Sequence, residues 1–343
     1  MYFHLIFSLF FSVALTHFVI KIATLKKLFD FPDENRKIHS DPISNIGGVA
    51  VYFTIILSFF TFYSDVFFTT GLKYLFTSIT LIFLFGLKDD LVGLSPLYRF
   101  IGQILSGLIM IILGDFRIYE IELLGINQLN YETSIVISLF VFVFLVNAFN
   151  LIDGINGLLG SISLFSSLYF SFLFDFEKSL VYLYFSELLA TCSLGFLFFN
   201  FGKAKIFMGS CGSYLIGTMM YFLTIGILHL NSPTVIEMPR FSILLSILII
   251  PIYDSARVIL LRVIKGKSPF SADSNHIHHR LLRLNFSHTQ VVLLLILTQF
   301  LIIVFNLLNP SFFDLSLIFI DFLILIILNI ILELRIKKLN NCI

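Results

Sequence analysis

The chain has 343 residues, of which 58% are hydrophobic and 13% are charged. Soluble domains carry about 25% charged residues. Together with a mean hydropathy of +0.99, this composition indicates an integral membrane protein and leaves no stretch for a separate soluble domain. The net charge of +1 gives no basis for nucleic-acid binding. Cys192, Cys211 and Cys342 lie far apart, so neither a disulfide framework nor a thiolate metal site is expected.

Apolar segments of about 20 residues, the length that crosses a bilayer as a helix, recur along the whole chain. We predict an all-α polytopic membrane protein that forms one integral membrane domain over residues 1–343. The first apolar run lacks leading basic residues and a small-residue cleavage site, so we expect it to be a retained span rather than a signal peptide. About eleven spans are predicted, near residues 3–23, 48–64, 70–87, 99–114, 133–149, 157–174, 180–199, 213–229, 241–261, 291–308 and 314–333.

The distribution of basic residues predicts the orientation of these spans. With the N-terminus outside, only Lys73, Arg117, Lys178 and Arg240 of the 22 Lys and Arg residues fall on the outer side. Because basic residues concentrate in cytoplasmic loops, we expect the N-terminus outside and the C-terminus in the cytoplasm. The loops with unusual polar content then all face the cytoplasm, and we expect them to form one site from residues 26–48, 88–98, 147–157, 200–213 and 262–290.

One of these loops follows an uncharged apolar run, residues 135–146. Asn147, Asn150, Asp153 and Asn156 come next, at intervals of three residues. An aspartate costs roughly 2.5–3.5 kcal/mol at the centre of a membrane helix, so we expect these side chains to face a ligand. The alternative is an ordinary helix cap followed by a loop, because an Asp-Gly pair readily turns the chain.

Two earlier loops add charge to the same side. Lys37 and His39 lie beside a Pro/Gly turn near the lipid headgroups and suit an anion. Asp89 and Asp90 are adjacent at a helix end, where their repulsion is relieved by a proton or by a hard cation such as Mg²⁺. A solvated acidic turn is the alternative for the aspartate pair.

The fourth loop leads into a helix through glycines and a serine. Gly209, Gly212 and Ser213 stand where exposed backbone N–H groups of a helix N-terminus bind phosphate. A flexible glycine turn with Ser213 as the N-cap is the alternative.

The fifth loop contains a group of histidines with an arginine, His276, His278, His279 and Arg280. Their spacing is poor for a metal site on one helical face, and no thiolates accompany them. We therefore favour a phosphate or pyrophosphate clamp, in which the guanidinium binds oxygens in bidentate fashion.

Four motifs, in this order, resemble those of the polyprenyl-phosphate N-acetylhexosamine-1-phosphate transferases, the WecA, TagO and MraY type of glycosyltransferase family 4. They are DDLVGL, NAFNLIDGINGL, FMGSCGS and ADSNHIHHRLL. The resemblance runs from RKIH at Arg36 to the histidine motif, and HIHHRLL is more similar to the WecA and TagO branch.

The resemblance implies transfer of an N-acetylhexosamine-1-phosphate, with GlcNAc the expected sugar, from a UDP-sugar to undecaprenyl phosphate, releasing UMP and initiating a cell-envelope polysaccharide. It implies the bacterial cytoplasmic membrane, an active site on the cytoplasmic face, and Mg²⁺ as cofactor, with Mn²⁺ as an alternative; a homodimer is left open. The implied catalytic and metal-binding residues are Asp89, Asp90 and Asp153. The implied substrate-binding residues are Lys37, His39, Asn147, Asn150, Asn156, Gly209, Gly212, Ser213, His276, His278, His279 and Arg280.

This sequence departs from the family pattern at two positions. Ser210 stands where FMGD has the aspartate that is the family's Mg²⁺ ligand, and a hydroxyl is a poorer ligand for a hard cation than a carboxylate. Asn156 stands where DGIDGL has an aspartate, which keeps an oxygen acceptor but removes a charge.

Two other classes of protein remain as alternatives. Ser210 would also suit a catalytically silent homologue that binds nucleotide sugar or lipid phosphate. A transporter would need ionisable residues facing a path near the bilayer midplane, for which Glu187 and Asp321 are candidates. Each of these two is isolated, and an interhelical hydrogen bond explains it at least as well.

Overall fold

The computed structural model describes residues 3–28, 43–64, 71–126, 128–230, 240–268, 275–310 and 312–340. Within these ranges the protein is all-helical, and the β-type pairing is limited to two isolated bridges. The prediction of an all-α protein is therefore confirmed. Lys37 and His39 lie outside the described residues.

A five-residue π-helical turn, Ile109–Leu113, continues the fourth helix, and a single 3-10 turn, Glu122–Leu124, lies in the loop that follows. In chain order the helices are α1 (Phe3–Lys26), α2 (Gly48–Phe62), α3 (Leu72–Val92), α4 (Pro96–Leu108), α5 (Tyr131–Leu151), α6 (Leu158–Phe176), α7 (Leu180–Asn200), α8 (Gly209–Leu228), α9 (Arg240–Ile247), α10 (Ile249–Ile264), α11 (Ile277–Arg283), α12 (His288–Leu308) and α13 (Asp314–Asn340).

Among the described residues, eight helices are long and apolar enough to cross a membrane, namely α1, α4 with its π-turn, α5, α6, α7, α8, α12 and α13. This confirms a multi-pass membrane protein. The helix α2 is apolar but shorter, and α9 with α10 forms a pair bent by 80°. The predicted ninth span, residues 241–261, is therefore not one straight helix.

The bend between α9 and α10 is stabilised by side chains from neighbouring helices. A broken helix leaves carbonyl groups that must be satisfied inside a membrane protein. The carbonyl of Ile247 accepts hydrogen bonds from the Ser166 hydroxyl at 2.9 Å and from the side-chain amide of Gln299, both of which are buried. Beyond the bend, α10 packs against α5, whose last turn carries Asn150.

Helix α8 is the centre of the bundle. Every residue from Cys211 to Ile227 is buried, and α3 and α5 pack along it. Its N-terminus pairs with the segment before α2, because Phe207 N–H donates to Ser44 O at 2.8 Å and Gly47 N–H donates to Phe207 O at 2.9 Å. The beginnings of α2 and α8 are thereby held together.

Candidate active site

Two carboxylates converge on the N-terminus of α8. Asp90 accepts hydrogen bonds from Ser210 N–H at 2.8 Å and from Cys211 N–H at 2.9 Å, one on each carboxylate oxygen. Asp153 accepts from Gly209 N–H at 3.0 Å through Oδ2. The positive end of a helix dipole favours negative charge at this place. Three of the first N–H groups of α8 thus donate to protein carboxylates rather than facing an open phosphate site.

Burial makes both carboxylates hold a proton more tightly than usual. It raises the pKa of Asp90, in the last turn of α3, to about 6, against the lowering effect of the Cys211 and Ser210 N–H groups, and nearby Asp89 adds to the rise. The pKa of Asp153 is raised to about 7 by burial and, secondarily, by the charge of Asp90, against the Gly209 hydrogen bond. A positive charge placed between them would favour the ionised forms of both.

Gly209 has the backbone conformation that this convergence requires. Its φ of +73° lies in the left-handed region, which favours glycine. A Cβ atom at this position would collide with the carbonyl oxygen of Asn45 and would lie 2.7 Å from Asp90 Oδ2. Any larger residue would therefore separate the two carboxylates from the helix end.

Asp89 does not share the position of its neighbour. Its Oδ1 accepts from Leu94 N–H at 2.8 Å and from Arg99 Nε at 2.9 Å, and Arg99 Nε also donates to Leu94 O at 3.0 Å. The buried carboxylate of Asp89 thus fixes the turn between α3 and α4, with its charge paired to Arg99. Arg99 is a site residue that the sequence reading did not select.

The predicted asparagines make different kinds of contact. Asn150 donates to Ser213 Oγ at 2.8 Å and so joins the end of α5 to the first turn of α8. Asn147 and Gln103 instead form a reciprocal amide pair between α5 and α4, with N···O distances of 2.7 and 3.3 Å. Ser213 and Asn150 therefore lie at the aspartate cluster, whereas Asn147 is engaged in helix pairing.

Asn156 connects the turn after α5 to the loop before α8. Its side-chain amide donates to Gly202 O at 2.7 Å, and its backbone N–H donates to His288 Nδ1 at 3.3 Å. Its buried Oδ1 has no hydrogen-bond partner among the described residues. Asn156 thus has an acceptor oxygen without a hydrogen bond in this structure, at the position where the family pattern has a carboxylate.

The histidine motif reaches the site through His278. This fully buried ring packs against Gly154, so that a Cβ atom on Gly154 would collide with His278 Nε2. His276 stacks on His278 with ring centroids 5.6 Å apart, and the His279 ring lies 4.3 Å from that of His278. Burial lowers the pKa of His278 to about 3, which keeps its ring neutral at physiological pH.

Arg280 is directed to the opposite side of α11. Its guanidinium binds the Asn329 side chain and lies 3.5 Å from Glu333 Oε2, both on α13. Residues two positions apart project about 200° apart around a helix, which explains why His278 faces Gly154 while Arg280 faces α13. Bidentate phosphate binding by Arg280 stays a prediction that this arrangement does not display.

The fit of these residues to a divalent cation depends on how many ligands the protein must supply. Within the described ranges, no group of three or more His, Cys, Asp or Glu side chains is arranged to hold a metal ion. Mg²⁺, however, is usually held by one or two protein carboxylates together with substrate phosphates and water. Two adjacent carboxylates with raised pKa values, Asp90 and Asp153, meet that smaller requirement.

The fold and site together define a multi-pass membrane protein with buried carboxylates and histidines at one end of its helix bundle. Residues 72–228 match the sequence model of glycosyl transferase family 4. The chain belongs to this family and is a phosphoglycosyltransferase.

Its relatives cover most of the chain. A probable undecaprenyl-phosphate N-acetylglucosaminyl 1-phosphate transferase of Bacillus subtilis is 30% identical over 336 residues, spanning 96% of this chain and 90% of the relative. The undecaprenyl-phosphate alpha-N-acetylglucosaminyl 1-phosphate transferase of Escherichia coli K12 is 32% identical over 307 residues, spanning 85% and 79%. A decaprenyl-phosphate N-acetylglucosaminephosphotransferase of Mycobacterium leprae is 32% identical over 298 residues, spanning 78% and 73%.

Proposed function

We propose that this protein transfers N-acetylhexosamine-1-phosphate, with GlcNAc as the sugar, from a UDP-sugar to undecaprenyl phosphate and thereby initiates a cell-envelope polysaccharide. The observation that carries the proposal is the meeting of Asp90, Asp153 and the His276–His278 pair around the N-terminus of α8. The names of the relatives, which all refer to polyprenyl phosphates and N-acetylglucosamine, support the same acceptor and sugar.

The reaction exchanges one phosphoanhydride for another. An oxygen of the lipid phosphate attacks the β-phosphorus of the UDP-sugar, a new P–O–P bond forms, and the bond to the bridging oxygen breaks so that UMP leaves with that oxygen. Such a transfer needs positioning and charge stabilisation more than covalent help from the protein. Asn150 and Asp153 are placed to bind nucleotide sugar, and His276 and His279 to contact phosphate.

Mg²⁺ fits this site as a cofactor, with Mn²⁺ as an alternative. Asp153 and Asp90 would hold it, and phosphate oxygens and water would complete its shell. When bound, it would offset the repulsion between two anionic substrates. Asp89, which the sequence reading also assigned to the metal, is paired with Arg99 through Oδ1.

We also propose the cytoplasmic membrane as the location, with about eleven spans, the N-terminus outside and the site on the cytoplasmic face. The polar ends of α3, α5 and α8 meet at one end of the bundle, which agrees with a site on a single face. The basic residues assign that face to the cytoplasm.

The direct test is release of UMP. Purified protein in detergent, given UDP-GlcNAc, undecaprenyl phosphate and Mg²⁺, is expected to release UMP and form a lipid-linked sugar diphosphate. A panel of other UDP-N-acetylhexosamines establishes the donor. Absence of UMP with every donor would refute the transferase proposal.

Ser210 provides a sharper test of metal binding. Ser210→Asp adds a carboxylate beside Asp90 and Asp153, so we expect half-maximal UMP release at a roughly tenfold lower Mg²⁺ concentration, because Mg²⁺ prefers carboxylate to hydroxyl ligands. Ser210→Asn, of the same shape without the charge, is the matched control and should show no such shift. An equal response of both variants would mean that the cation is held elsewhere.

A silent binding protein is the second candidate, and Ser210 is the residue that favours it. It would bind a UDP-sugar or lipid phosphate, measurable by calorimetry, without releasing UMP. Turnover by the unmodified chain would exclude it.

A further inference from the structure

A buried carboxylate on α10 holds the first histidine of the histidine motif. Asp254 is 1% exposed, and its Oδ2 lies 2.8 Å from His276 Nδ1. Its Oδ1 accepts from Ile277 N–H at 2.9 Å and from Arg257 Nη2 at 2.9 Å. Both oxygens of Asp254 therefore act as acceptors toward groups at the start of α11.

We propose that Asp254 is a positioning residue for the transfer reaction, which fixes His276 with its proton on Nδ1 and leaves the Nε2 lone pair to accept a proton from the substrate phosphate. The proposal rests on the function proposed above for the same site. A carboxylate has only acceptor oxygens when ionised, so the ring nitrogen that faces it must be the N–H donor. The tautomer of His276 is then set by Asp254.

The position of His276 connects Asp254, through packed side chains, to the aspartate cluster. His276 is 3% exposed and its ring stacks on His278, with an angle of 14° between the ring planes. His278 in turn packs against Gly154, the residue after Asp153. A rotation of the His276 ring would therefore disturb the packing that leads to the aspartate cluster.

Arg257 contributes to the same anchor. Its Nη2 donates to Asp254 Oδ1 and to the backbone carbonyl of Asn275, the residue before His276. The Oδ1 side of Asp254 faces N–H donors alone, whereas the Oδ2 side faces a ring that can be either donor or acceptor. This asymmetry decides what an amide would do at position 254.

Asp254→Asn is expected to reverse the tautomer while keeping the shape of the side chain. The amide oxygen will face Ile277 N–H and Arg257, because an NH₂ group there would oppose two donors. The NH₂ group will then donate to His276 Nδ1 and drive the ring proton to Nε2. Loss of rate through a reversed histidine tautomer, with geometry intact, is established for the catalytic triad of serine proteases.

The first measurement is the tautomer itself. In protein labelled with ¹⁵N-histidine, the His276 signals are assigned by their loss in His276→Gln, and long-range ¹H–¹⁵N correlations report which ring nitrogen carries the proton. We expect a protonated Nδ1 in the unmodified chain and a neutral ring protonated on Nε2 in Asp254→Asn. A ring protonated only on Nε2 in the unmodified chain overturns the proposal, and this result does not require Asp254→Asn to fold.

The second measurement is a double-mutant cycle on UMP release. We expect Asp254→Asn to lower kcat/KM by roughly 10–100-fold, the range found for residues that orient metal-binding histidines. In the His276→Gln background the same change should have no further effect, because Asp254 acts through His276. Multiplication of the two single effects would overturn the proposal.

Asp321→Asn is the matched control, because Asp321 is also a fully buried aspartate but pairs with Asn306, near the opposite end of α12 from His288. It should leave UMP release and the His276 tautomer unchanged. An equal loss in Asp321→Asn and Asp254→Asn would assign the effect to packing and overturn the proposal. If the unmodified chain releases no UMP, the proposed function fails, while the tautomer still tests the link between Asp254 and His276.

Discussion

At the scale of single residues, the carboxylates of the site differ in the groups that balance their charge. Among the ion pairs of the described residues, Asp89 has Arg99 and Asp254 has Arg257, whereas Asp90 and Asp153 are held by backbone N–H groups of α8. Removing a carboxylate from water costs free energy that N–H groups repay only in part. The raised pKa values of Asp90 and Asp153 express this remaining cost.

Asp153→Asn is therefore expected to stabilise the protein while removing activity. The folded-state pKa of Asp153, about 7, lies above its unfolded value, so the folded state is favoured at low pH and loses that advantage as pH rises from about 4 to 7. A rise from 3.8 to about 7 corresponds to about 4 kcal/mol. Because Asp153 is only partly buried, we expect a gain of about 2–3 kcal/mol at pH 8.

The measurement is thermal unfolding in detergent and chelator, followed by circular dichroism, because a thiol-reactive dye reacts with the thiolates of Cys192 and Cys211 only at the upper end of this pH range. The gain should shrink as pH is lowered from 8 to 4. Asp175→Asn, at an exposed aspartate of α6, should change little at any pH. A destabilised Asp153→Asn at pH 8 would contradict the buried-charge interpretation.

Sequence patterns located the site residues better than they located their partners. The sequence predicted that the loops of residues 147–157 and 200–213 contribute to one site, and in the structure Asn150 contacts Ser213 and Asp153 contacts Gly209. It could not separate Asn147, because only the fold reveals Gln103 opposite it. Asp254 was missed because it stands alone in an apolar stretch, with its partner His276 more than twenty residues later.

At the scale of helices, the start of α8 is the element on which the site depends. Gly209 and Gly202 both have left-handed backbones, with φ of +73° and +70°. A Cβ atom at Gly209 would collide with Asn45, whereas at Gly202 it would meet nothing within 4 Å. Comparing alanine at these two positions therefore separates the free-energy cost of the left-handed backbone from that of the collision with Asn45.

Gly209→Ala is expected to destabilise the protein by at least about 2 kcal/mol more than Gly202→Ala, since a left-handed non-glycine residue by itself costs about 1–3 kcal/mol and only position 209 adds a collision. Thermal unfolding followed by circular dichroism compares the two variants. UMP release should be lost in Gly209→Ala and retained in Gly202→Ala. Equal destabilisation would show that α8 can shift away from Asn45.

Helix positions were largely predictable, since each predicted segment overlaps a helix or the bent pair. Hydropathy measures length and composition, and these do not encode direction within a span. The 80° bend between α9 and α10 depends on Ser166 and Gln299, which lie on two other helices. One local signal does mark the bend, because Pro251 has no N–H to donate to the carbonyl of Ile247, four residues earlier.

At the scale of the whole molecule, orientation decides which side of the membrane the site faces, and so whether it can reach the proposed nucleotide-sugar donor. Lys178 precedes α7 and Lys203 follows it, and both are exposed. If α7 crosses the membrane, the two lysines lie on opposite sides. The distribution of basic residues predicts that Lys178 lies outside and Lys203 in the cytoplasm.

Cysteine labelling in whole cells checks this orientation in a Cys342→Ser background. Lys178→Cys should react with a membrane-impermeant maleimide in intact cells, and Lys203→Cys only after permeabilisation. Cys192 and Cys211 are buried and should stay silent in the folded protein. The reverse pattern would invert the topology and place the site outside the cell.

Because α8 is completely enclosed, changes in the lipid bilayer should reach the site only through other helices. The whole apolar window of α8 is buried, compared with 22% of the corresponding windows of α1 and α13. Changes in bilayer thickness or fluidity act first on helices that touch acyl chains, which leaves α1 and α13 as the elements that adjust. Other helices enclose α8, whose first turn forms part of the site. The geometry around Gly209 should therefore be the same in membranes of differing composition.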